Sequence, residues 1–144
     1  MNPFPKLPGL IAKVHTFLYR VSGGRLGGRI SGSRVVLLTT TGRKSGKRRT
    51  TPLLSLPDGE NIVIVASNGG NDRHPVWWLN LQANPSAELR TGNETKPVRA
   101  EAASEEEKAR LWPLLVEMYS GYARYQQGTE RKIPVVVLRP GGQD

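Results

Sequence analysis

The stretch RVVLLTTTGRKSGKRRTTPLLSL, residues 34–56, decides the fold that this sequence predicts. Residues 34–41 are rich in β-branched side chains, and residues 50–56 read as a second strand. Residues 42–49 join the two through a short basic turn, whereas a parallel pair would need a crossover of about a dozen residues or more. We therefore expect the two strands to pair as an antiparallel hairpin.

Four further strands are predicted along the rest of the chain, at residues 61–66, 87–91, 94–100 and 133–138. Gly92 and Asn93 separate two of them as the turn of a hairpin. Tight connections favour antiparallel pairing, and strands and helices do not alternate as they would in a doubly wound sheet. We expect a mainly β fold, a small six-stranded antiparallel barrel with helices attached to it.

Two helical regions are predicted between the strands. Pro75 suits the first turn of a short helix. Ser104 and Glu107 match a capping box at the start of an acidic helix. Pro113 is expected to kink or divide this acidic helix, with a second segment that runs to about Tyr125.

A third helix is predicted near the N-terminus, from about Pro8 to Val21, because apolar residues recur there at helical spacing with lysine and arginine on the flank. Residues 23–29 read as a flexible connector rich in glycine and arginine. We expect the helix and connector to form one unit, residues 1–32, and the barrel a second, residues 33–144. The helix can pack on a core or lie on anionic lipid through residues 6–21, and both alternatives stay open.

The charge distribution indicates an anionic partner. The 144 residues carry a net charge of +9, and residues 1–50 contain 11 Lys or Arg and no Asp or Glu. Such a field attracts nucleic acid, anionic lipid or a phosphorylated small molecule, while a solvated basic surface is the alternative. The chain has 0 Cys and 2 His, which argues against a disulfide scaffold, a metal site and a thiol nucleophile. We expect no bound metal and a reducing compartment.

Residues 42–49 are the densest functional signal. Gly42 and Gly46 allow a sharp turn that presents backbone N–H groups, and five cations can bind phosphate or carboxylate oxygens. Three residues rather than four separate the glycines, and Lys47 is followed by Arg48, so the segment is not a Walker A loop. We interpret it as an anion clamp between two strands, with a solvated hairpin tip as the alternative.

Aromatic residues and a glycine pair suggest a pocket for a flat ligand. The glycines at 69–70 follow a buried strand and allow a planar ring or its phosphate to approach the backbone. Neighbours on a helix point about 100° apart, so Trp77 and Trp78 cannot both face the pocket. Three tyrosines follow at intervals of three residues, at Tyr119, Tyr122 and Tyr125. They either wall a substrate and donate protons or form a packing stripe.

No acid, base or nucleophile stands in a recognisable catalytic arrangement. The sequence offers no pair of carboxylates at an obvious catalytic spacing and no Ser-His-Asp motif. His74 alone is expected to be structural or exposed rather than catalytic. An enzyme built from these residues would rely on a bound cofactor for its chemistry.

In their order and spacing, several segments resemble the deazaflavin-dependent nitroreductase and quinone reductase family. These are TTGRKSG at 40–46, ASNGG at 66–70, PVWWLNL at 75–81, WP at 112–113, MY at 118–119 and IPVV at 133–136. The resemblance covers about residues 33–140. It implies a split β-barrel of the flavin-reductase type that binds coenzyme F420, an 8-hydroxy-5-deazaflavin with a phosphate-containing polyglutamate tail.

The resemblance also implies an activity and a place in the cell. The reduced cofactor would pass a hydride to quinones or to other electron-poor acceptors such as nitroaromatics. The protein would be cytoplasmic, with the N-terminal helix bringing the pocket close to quinones dissolved in the cell membrane. A non-catalytic carrier of F420 is an alternative. A nucleic-acid-binding module is disfavoured, because residues 22–50 contain no aromatic side chain on which bases could stack.

Matching positions in the family imply roles for individual residues. The cofactor tail would be held by Arg43, Lys44, Ser45, Gly46 and Arg49. The deazaflavin ring would be bordered by Pro52, Ala66, Ser67, Asn68, Gly69, Val76 and Trp77. The substrate side of the pocket would be formed by Ser67, Tyr119, Tyr122 and Tyr125, which are the candidate catalytic residues.

Two positions depart from the family pattern. Asn68 stands where the best-known members carry a lysine, so one contact with the cofactor is expected to be weaker. Gly128 replaces an aromatic residue close to the tyrosines. That replacement is expected to open the pocket and to reduce activity on bulky nitro compounds.

Overall fold

The hairpin predicted from residues 34–56 is present, and both of its strands are longer than expected. The computed structural model describes residues 29–30 and 33–141. The strands are β1 (Arg29–Ile30), β2 (Ser33–Thr41), β3 (Arg48–Asp58), β4 (Asn61–Val65), β5 (Ser86–Thr91), β6 (Glu94–Ala102) and β7 (Val135–Pro140). The helices are α1 (Val76–Ala83), α2 (Glu105–Met118) and α3 (Gly121–Gln127), and a 3₁₀ turn spans Asn68–Gly70. The helix predicted from about Pro8 to Val21 lies outside the described residues.

Six strands close into an antiparallel barrel, which confirms the predicted fold class. The strands follow the order β2-β3-β4-β7-β6-β5 around the wall, and β5 pairs back onto β2, where Leu37 lies opposite Arg90. The two-residue strand β1 adds to the start of β2. All strand pairs among the described residues are antiparallel, as their short connections require.

Alternate side chains of the strands face two separate hydrophobic cores. Val36 of β2 lies inside the barrel, in a core with side chains of β4, β5, β6 and β7, and this core includes Trp77 and Trp78 of α1. Its neighbour Val35 faces outward, into a second core that α2 and α3 cover with Leu115 and the tyrosines. The helices therefore close the barrel on one side and shield its outer wall on another.

The signals for the starts of α1 and α2 are confirmed. Pro75 directly precedes α1 and is its N-cap. Ser104 Oγ accepts a hydrogen bond from the N–H of Glu107 at 3.1 Å, and Glu107 Oε1 accepts one from the N–H of Ser104 at 3.1 Å. This reciprocal pair is the predicted capping box.

The expectation that Pro113 would divide the acidic helix is wrong, because α2 runs through it to Met118 and the second segment, α3, begins only at Gly121. Leu111 and Leu115, on either side of the proline, have no exposed surface. Their packing offsets the cost of a proline inside a helix, which is about 3 kcal/mol. The chain leaves the helical conformation at Tyr119, where φ is −147° and ψ is 102°.

A gap opens in the barrel wall where β3 and β4 diverge. The two strands pair from Leu56 opposite Val63 to Asp58 opposite Asn61. Before that point, β3 has β2 as its strand partner within the described residues, and Pro52 lies in this half-paired part. A proline has no N–H to donate and is tolerated at such an edge. The candidate site lies in this gap, between β3 and the loop that follows β4.

Candidate functional site

A cleft of about 440 Å³ occupies the gap beside β3. Its volume lies in the range of about 300–1,000 Å³ that is typical of small-molecule sites. Six of the predicted site residues line it: Pro52, Ser67, Asn68, Val76, Trp77 and Tyr122. They come from β3, the loop after β4, α1 and α3, so the fold brings four separate segments together here.

The other predicted site residues lie around this cleft or on the basic turn. Ala66, Gly69, Tyr119 and Tyr125 are next to lining residues in the chain or in space but do not themselves line it. Arg43, Lys44, Ser45, Gly46 and Arg49 lie on or next to the connection between β2 and β3, outside the lining. The cleft and the basic turn are thus two neighbouring regions joined by β3.

Apolar surfaces dominate two sides of the cleft. Pro52 of β3 and Trp77 of α1 are buried, and both line the cleft. Val76, beside Trp77, is 65% exposed, which is unusual for a large apolar residue and places it at the rim. Trp78 lies in the barrel core and does not line the cleft, as the angle between neighbouring helical residues predicts. These surfaces suit a planar ring.

The three tyrosines converge although they lie on different elements. Tyr119 follows the end of α2, and Tyr122 and Tyr125 belong to α3. The hydroxyl oxygens of Tyr119 and Tyr125 are 2.9 Å apart, and the rings of Tyr119 and Tyr122 meet edge to face with their centres 5.0 Å apart. Tyr119 and Tyr122 also belong to the outer core, so the tyrosines pack together as one interpretation expected, and Tyr122 in addition lines the cleft.

The environment keeps two of these phenols protonated. Burial raises the pKa of the Tyr122 hydroxyl above its usual value of 10.0. Burial, followed by the hydrogen bond with Tyr119, raises the pKa of Tyr125 in the same direction. At neutral pH both side chains are therefore uncharged and able to donate a hydrogen bond.

Close backbone contact brings the loop after β4 against α3. A Cβ atom added to Gly70 would lie 3.1 Å from the Cα of Tyr125, and the φ of Gly70 is +82°. Only glycine adopts that conformation readily. The glycine at position 70 therefore allows the loop to pack against Tyr125. The sequence had suggested that a ligand would occupy this space.

The loop after β4 is braced by its own side chains. Asn68 has a φ of +47°, in the left-handed region that asparagine tolerates, and its Nδ2 donates to the carbonyl oxygen of Arg73 at 3.0 Å. Ser67 lines the cleft, and its hydrogen bonds with the described residues are made by its carbonyl oxygen and not by its hydroxyl. The amide of Asn68 therefore serves the loop, while the Ser67 hydroxyl is available to a ligand.

Three carbonyl groups of this loop accept hydrogen bonds from Arg131. This residue was not singled out from the sequence. Its Nη2 donates to the carbonyl oxygens of Ala66 at 3.2 Å and Ser67 at 2.8 Å. Its Nε donates to the carbonyl oxygen of Asn71 at 2.8 Å. One wall of the cleft thus depends on a side chain far away in the sequence. No local pattern distinguishes this arginine from the other surface cations.

His74 is bound to the same arginine. Its Nδ1 lies 3.2 Å from Nη1 of Arg131, and the residue lines the cleft. Partial burial, followed by the charge of Arg131, lowers the pKa of the His74 imidazole below its usual value of 6.5. The ring is therefore neutral at pH 7.

The basic turn is internally hydrogen-bonded, contrary to one expectation. The N–H of Gly42 donates to the carbonyl oxygen of Lys47, and the N–H of Gly46 donates to that of Gly42, both at 2.8 Å. The N–H of Lys47 donates to Ser45 Oγ at 3.1 Å. The two glycine N–H groups are therefore not presented to an anion. Side chains have to supply most of the binding there.

Four cations of the turn are available for that purpose. Arg48 is engaged, since it donates to Thr41 Oγ1 at 2.9 Å and pairs with Glu88 at 3.2 Å. The remaining side chains are exposed and have no hydrogen bond or ion pair with the described residues; they are Arg43, Lys44, Lys47 and Arg49. The turn presents a cluster of unpaired positive charge directly beside the cleft.

Asn80, also missed from the sequence, attaches this turn to α1. Its Oδ1 accepts a hydrogen bond from the N–H of Arg43 at 3.0 Å, and its Nδ2 donates to Thr40 Oγ1 at 3.2 Å. Only 2% of Asn80 is exposed. The polar residue in the apolar segment 76–81 was a signal that sequence reasoning could have used, because a buried amide needs partners.

The described residues contain neither a cluster suited to a metal ion nor a helix suited to a membrane. Residues 29–30 and 33–141 hold no group of three or more histidine, aspartate or glutamate side chains placed to bind a metal ion. Within the same part of the chain, no helix combines the length and the apolar character needed to cross a membrane.

Comparison with known proteins gives consistent matches. The model of the F420H(2)-dependent quinone reductase family matches residues 11–140. An F420H(2)-dependent quinone reductase of Mycobacterium tuberculosis is 42% identical over 132 residues, which cover 89% of this chain and 89% of that protein. A second M. tuberculosis protein, provisionally given the same name, is 45% identical over 105 residues, covering 73% and 88% of the two chains.

A solved structure supports the same relationship. The structure of an F420-H2 dependent reductase superimposes with a TM-score of 0.68 at 42% sequence identity. The match covers 73% of this chain and 93% of that chain.

Proposed function

The chain belongs to the F420H(2)-dependent quinone reductase family, and from that premise we propose that the cleft beside β3 holds the reduced deazaflavin ring and a quinone against each other. Membership makes the protein an oxidoreductase that uses coenzyme F420. One observation carries the assignment of the site. Residues at family positions on four separate segments line a single cleft.

The lining fits a flat ring that is apolar on its faces and polar at its edge. Pro52, Trp77 and the rim residue Val76 offer apolar surface to the faces. The Ser67 hydroxyl, which has no partner among the described residues, can bind a polar atom at the edge. The cleft residues therefore suit a deazaflavin with an electron-poor ring beside it.

The basic turn is placed to hold the acidic tail of the cofactor. Arg49 lies three positions before Pro52 on β3, a distance of about 10 Å at the rise of a β-strand. Arg43, Lys44 and Lys47 stand on the same turn as exposed cations. Ser45 and Gly46 shape the turn, and Asn80 keeps it next to α1. Phosphate and carboxylate oxygens would meet side chains rather than backbone N–H groups.

The residues of the chain position the reactants and provide a hydrogen-bond donor for the quinone. When bound, the reduced cofactor supplies the hydride that a quinone accepts. The apolar walls exclude water and hold both rings in contact, which favours transfer by orientation. The quinone becomes a hydroquinone by accepting that hydride and one proton, which ends on a quinone oxygen. Tyr122, protonated at neutral pH and lining the cleft, is the phenol placed to donate a hydrogen bond there.

Two finer parts of the function belong to the same proposal. Nitroaromatics form a second class of electron-poor acceptor, supported by the apolar surface that Pro52, Val76 and Trp77 offer to a flat ring. Residues 6–21 contact an anionic membrane surface at its cytoplasmic face, supported by the amphipathic pattern and the flanking cations of that segment. Such contact would bring the cleft close to quinones dissolved in lipid.

Titration of the protein with oxidised F420 at low ionic strength tests the site. We expect saturable binding, measured by the change in fluorescence of the deazaflavin. We also expect menadione to oxidise F420H2 in the presence of the protein, followed by absorbance. Val76→Glu places a negative charge at the rim, and we expect it to weaken F420 binding about tenfold.

Leu114→Glu is the matched control, because Leu114 is a large exposed apolar residue of α2, 44% exposed and outside the cleft. Equal loss of affinity in the two variants would contradict the assignment of the cleft. Binding without turnover of any quinone would favour a carrier of the cofactor over a reductase.

A further inference from the structure

One nitrogen of the His74 ring is held by Arg131, and this contact determines where the ring proton resides. A guanidinium group carries only N–H donors and has no acceptor. Since Nη1 of Arg131 lies 3.2 Å from Nδ1 of His74, a hydrogen bond between them requires Nδ1 to be the acceptor. A neutral imidazole has one N–H, so the proton must then be on Nε2.

The second ring nitrogen is left for a ligand. Nε2 of His74 makes no hydrogen bond with the described residues, and among these residues no side-chain nitrogen or oxygen is both buried and without a partner. Nε2 is therefore accessible rather than buried. His74 lines the cleft, next in the chain to Pro75 and Val76, which line it too. The Nε2–H group of His74 is thus a hydrogen-bond donor that is available to a ligand at the cleft.

We propose that His74 orients the ligand by donating its Nε2–H to a carbonyl oxygen at the edge of a flat ring, and that Arg131 is the positioning residue that fixes this tautomer. The inference rests on the proposed function for the identity of the ligand. A carbonyl at a ring edge occurs in both the deazaflavin and the quinone. The experiment therefore has to separate these two sources.

The surroundings of His74 favour the neutral form that this role requires. Partial burial and the positive charge of Arg131 lower the pKa of the imidazole. A protonated ring would present two donors and lose its hydrogen bond with Arg131. Arg131 also donates hydrogen bonds to the carbonyl oxygens of Ala66, Ser67 and Asn71. It therefore fixes the position of the His74 ring relative to the loop that borders the cleft.

A direct test reads the tautomer of His74 in the protein without ligand. In a long-range proton–nitrogen NMR spectrum of ¹⁵N-labelled protein at neutral pH, we expect the signals of a ring protonated at Nε2. Arg131→Gln should produce a mixture of tautomers. Arg110→Gln is the matched control, because Arg110 makes two hydrogen bonds to Asp58 and does not line the cleft. A wild-type ring protonated at Nδ1 would overturn the proposal.

Binding and turnover then identify the source of the carbonyl. His74→Phe keeps a flat ring but removes the donor, whereas His74→Gln retains an amide N–H. If the carbonyl belongs to the cofactor, His74→Phe should weaken binding of oxidised F420 about five- to tenfold, and His74→Gln should restore part of it. If it belongs to the quinone, F420 binding should be unchanged and the KM for menadione should rise by the same factor.

Unchanged F420 affinity and unchanged menadione KM in His74→Phe would refute the role of His74. A structural role alone would lower stability without the rescue by glutamine. If the wild-type protein failed to bind F420, the proposed function would fall, while the NMR measurement would still decide whether Arg131 fixes the tautomer.

Discussion

The side-chain oxygen of Asn80 accepts a hydrogen bond from the backbone N–H of Arg43 at 3.0 Å, so α1 and the basic turn are held in a fixed relationship. The same amide donates to Thr40 at 3.2 Å. α1 also carries Val76 and Trp77, which line the cleft. The two regions that we assign to the ring and to the tail of one cofactor are therefore connected through this buried side chain as well as through β3.

We expect Asn80→Ala to destabilise the protein by about 1–3 kcal/mol, because it leaves the N–H of Arg43 and the hydroxyl of Thr40 without their partner. The free energy of unfolding in urea measures this loss. Gln82→Ala, an exposed position on the same helix, is the control. The connection would be unimportant if both variants had the same stability and the same affinity for F420.

Affinity for F420 should fall as the salt concentration rises, because exposed cations at the turn attract the acidic tail and their field is screened beyond about 10 Å at 0.1 M salt. Arg49→Gln should weaken binding about two- to fivefold at low salt and flatten the salt dependence. Lys96→Gln removes an exposed cation of β6 that pairs with Glu94, and it serves as the control. A salt-independent affinity would argue against the turn as the tail site.

Replacing Tyr122 by phenylalanine should reduce quinone turnover about tenfold or more while F420 binding persists, since proton donation by a positioned side chain contributes to the rate and the ring itself is retained. Steady-state kinetics with menadione, combined with the fluorescence titration, measure both quantities. A loss of F420 binding equal to the loss of turnover would point to a packing role for the phenol.

The protonation of the tyrosines has a consequence for stability in alkaline solution. Tyr122 and Tyr125 have pKa values raised above 10.0, so the folded protein keeps these protons longer than the unfolded chain does. Their contribution to stability is complete below pH 10.0 and is lost as the pH rises further. Absorbance of the phenolate ion during a pH titration should show these two groups ionising late, and Tyr122→Phe should remove one of them. Ionisation of every tyrosine near pH 10.0 in the folded protein would contradict this.

Gly128 should accept an aromatic side chain with little loss of stability. Its φ is −85°, and an added Cβ would meet the carbonyl oxygens of Arg124 and Tyr125 at 3.5 and 3.7 Å, which are ordinary contacts. We expect Gly128→Trp to raise kcat/KM for a bulky nitroaromatic relative to menadione. Gly128→Ala is the control, and equal ratios of the two substrates in both variants would rule out Gly128 as a determinant of acceptor choice.

The elements that depend on local signals were predictable. The hairpin of β2 and β3 follows from two apolar stretches around a short turn, and the capping box of Ser104 and Glu107 marked the start of α2. The division of α2 predicted at Pro113 is absent, because the burial of Leu111 and Leu115 outweighs the tendency of proline to end a helix.

The site was predictable only where its residues form sequence motifs. Ser67 and Trp77 belong to recognisable segments and line the cleft. Arg131 lies 65 residues from Ala66, whose carbonyl it binds, and Asn80 lies 37 residues from Arg43. A contact over such a separation leaves no periodic or local trace in one sequence. The cofactor was predicted from the resemblance to a family, whereas the supporting roles of Arg131 and Asn80 became apparent only in the folded structure.

Both Arg131 and Tyr122 come late in the chain, and they complete a cleft that begins with Pro52 of β3. β7, which joins β4 to β6 and closes the barrel, comes later still. During translation, the nascent chain therefore lacks a finished pocket until β7 has left the ribosome. On the proposed assignment of the cleft, capture of the coenzyme follows synthesis of the whole barrel, and a chain that ended before β7 would lack the closed wall.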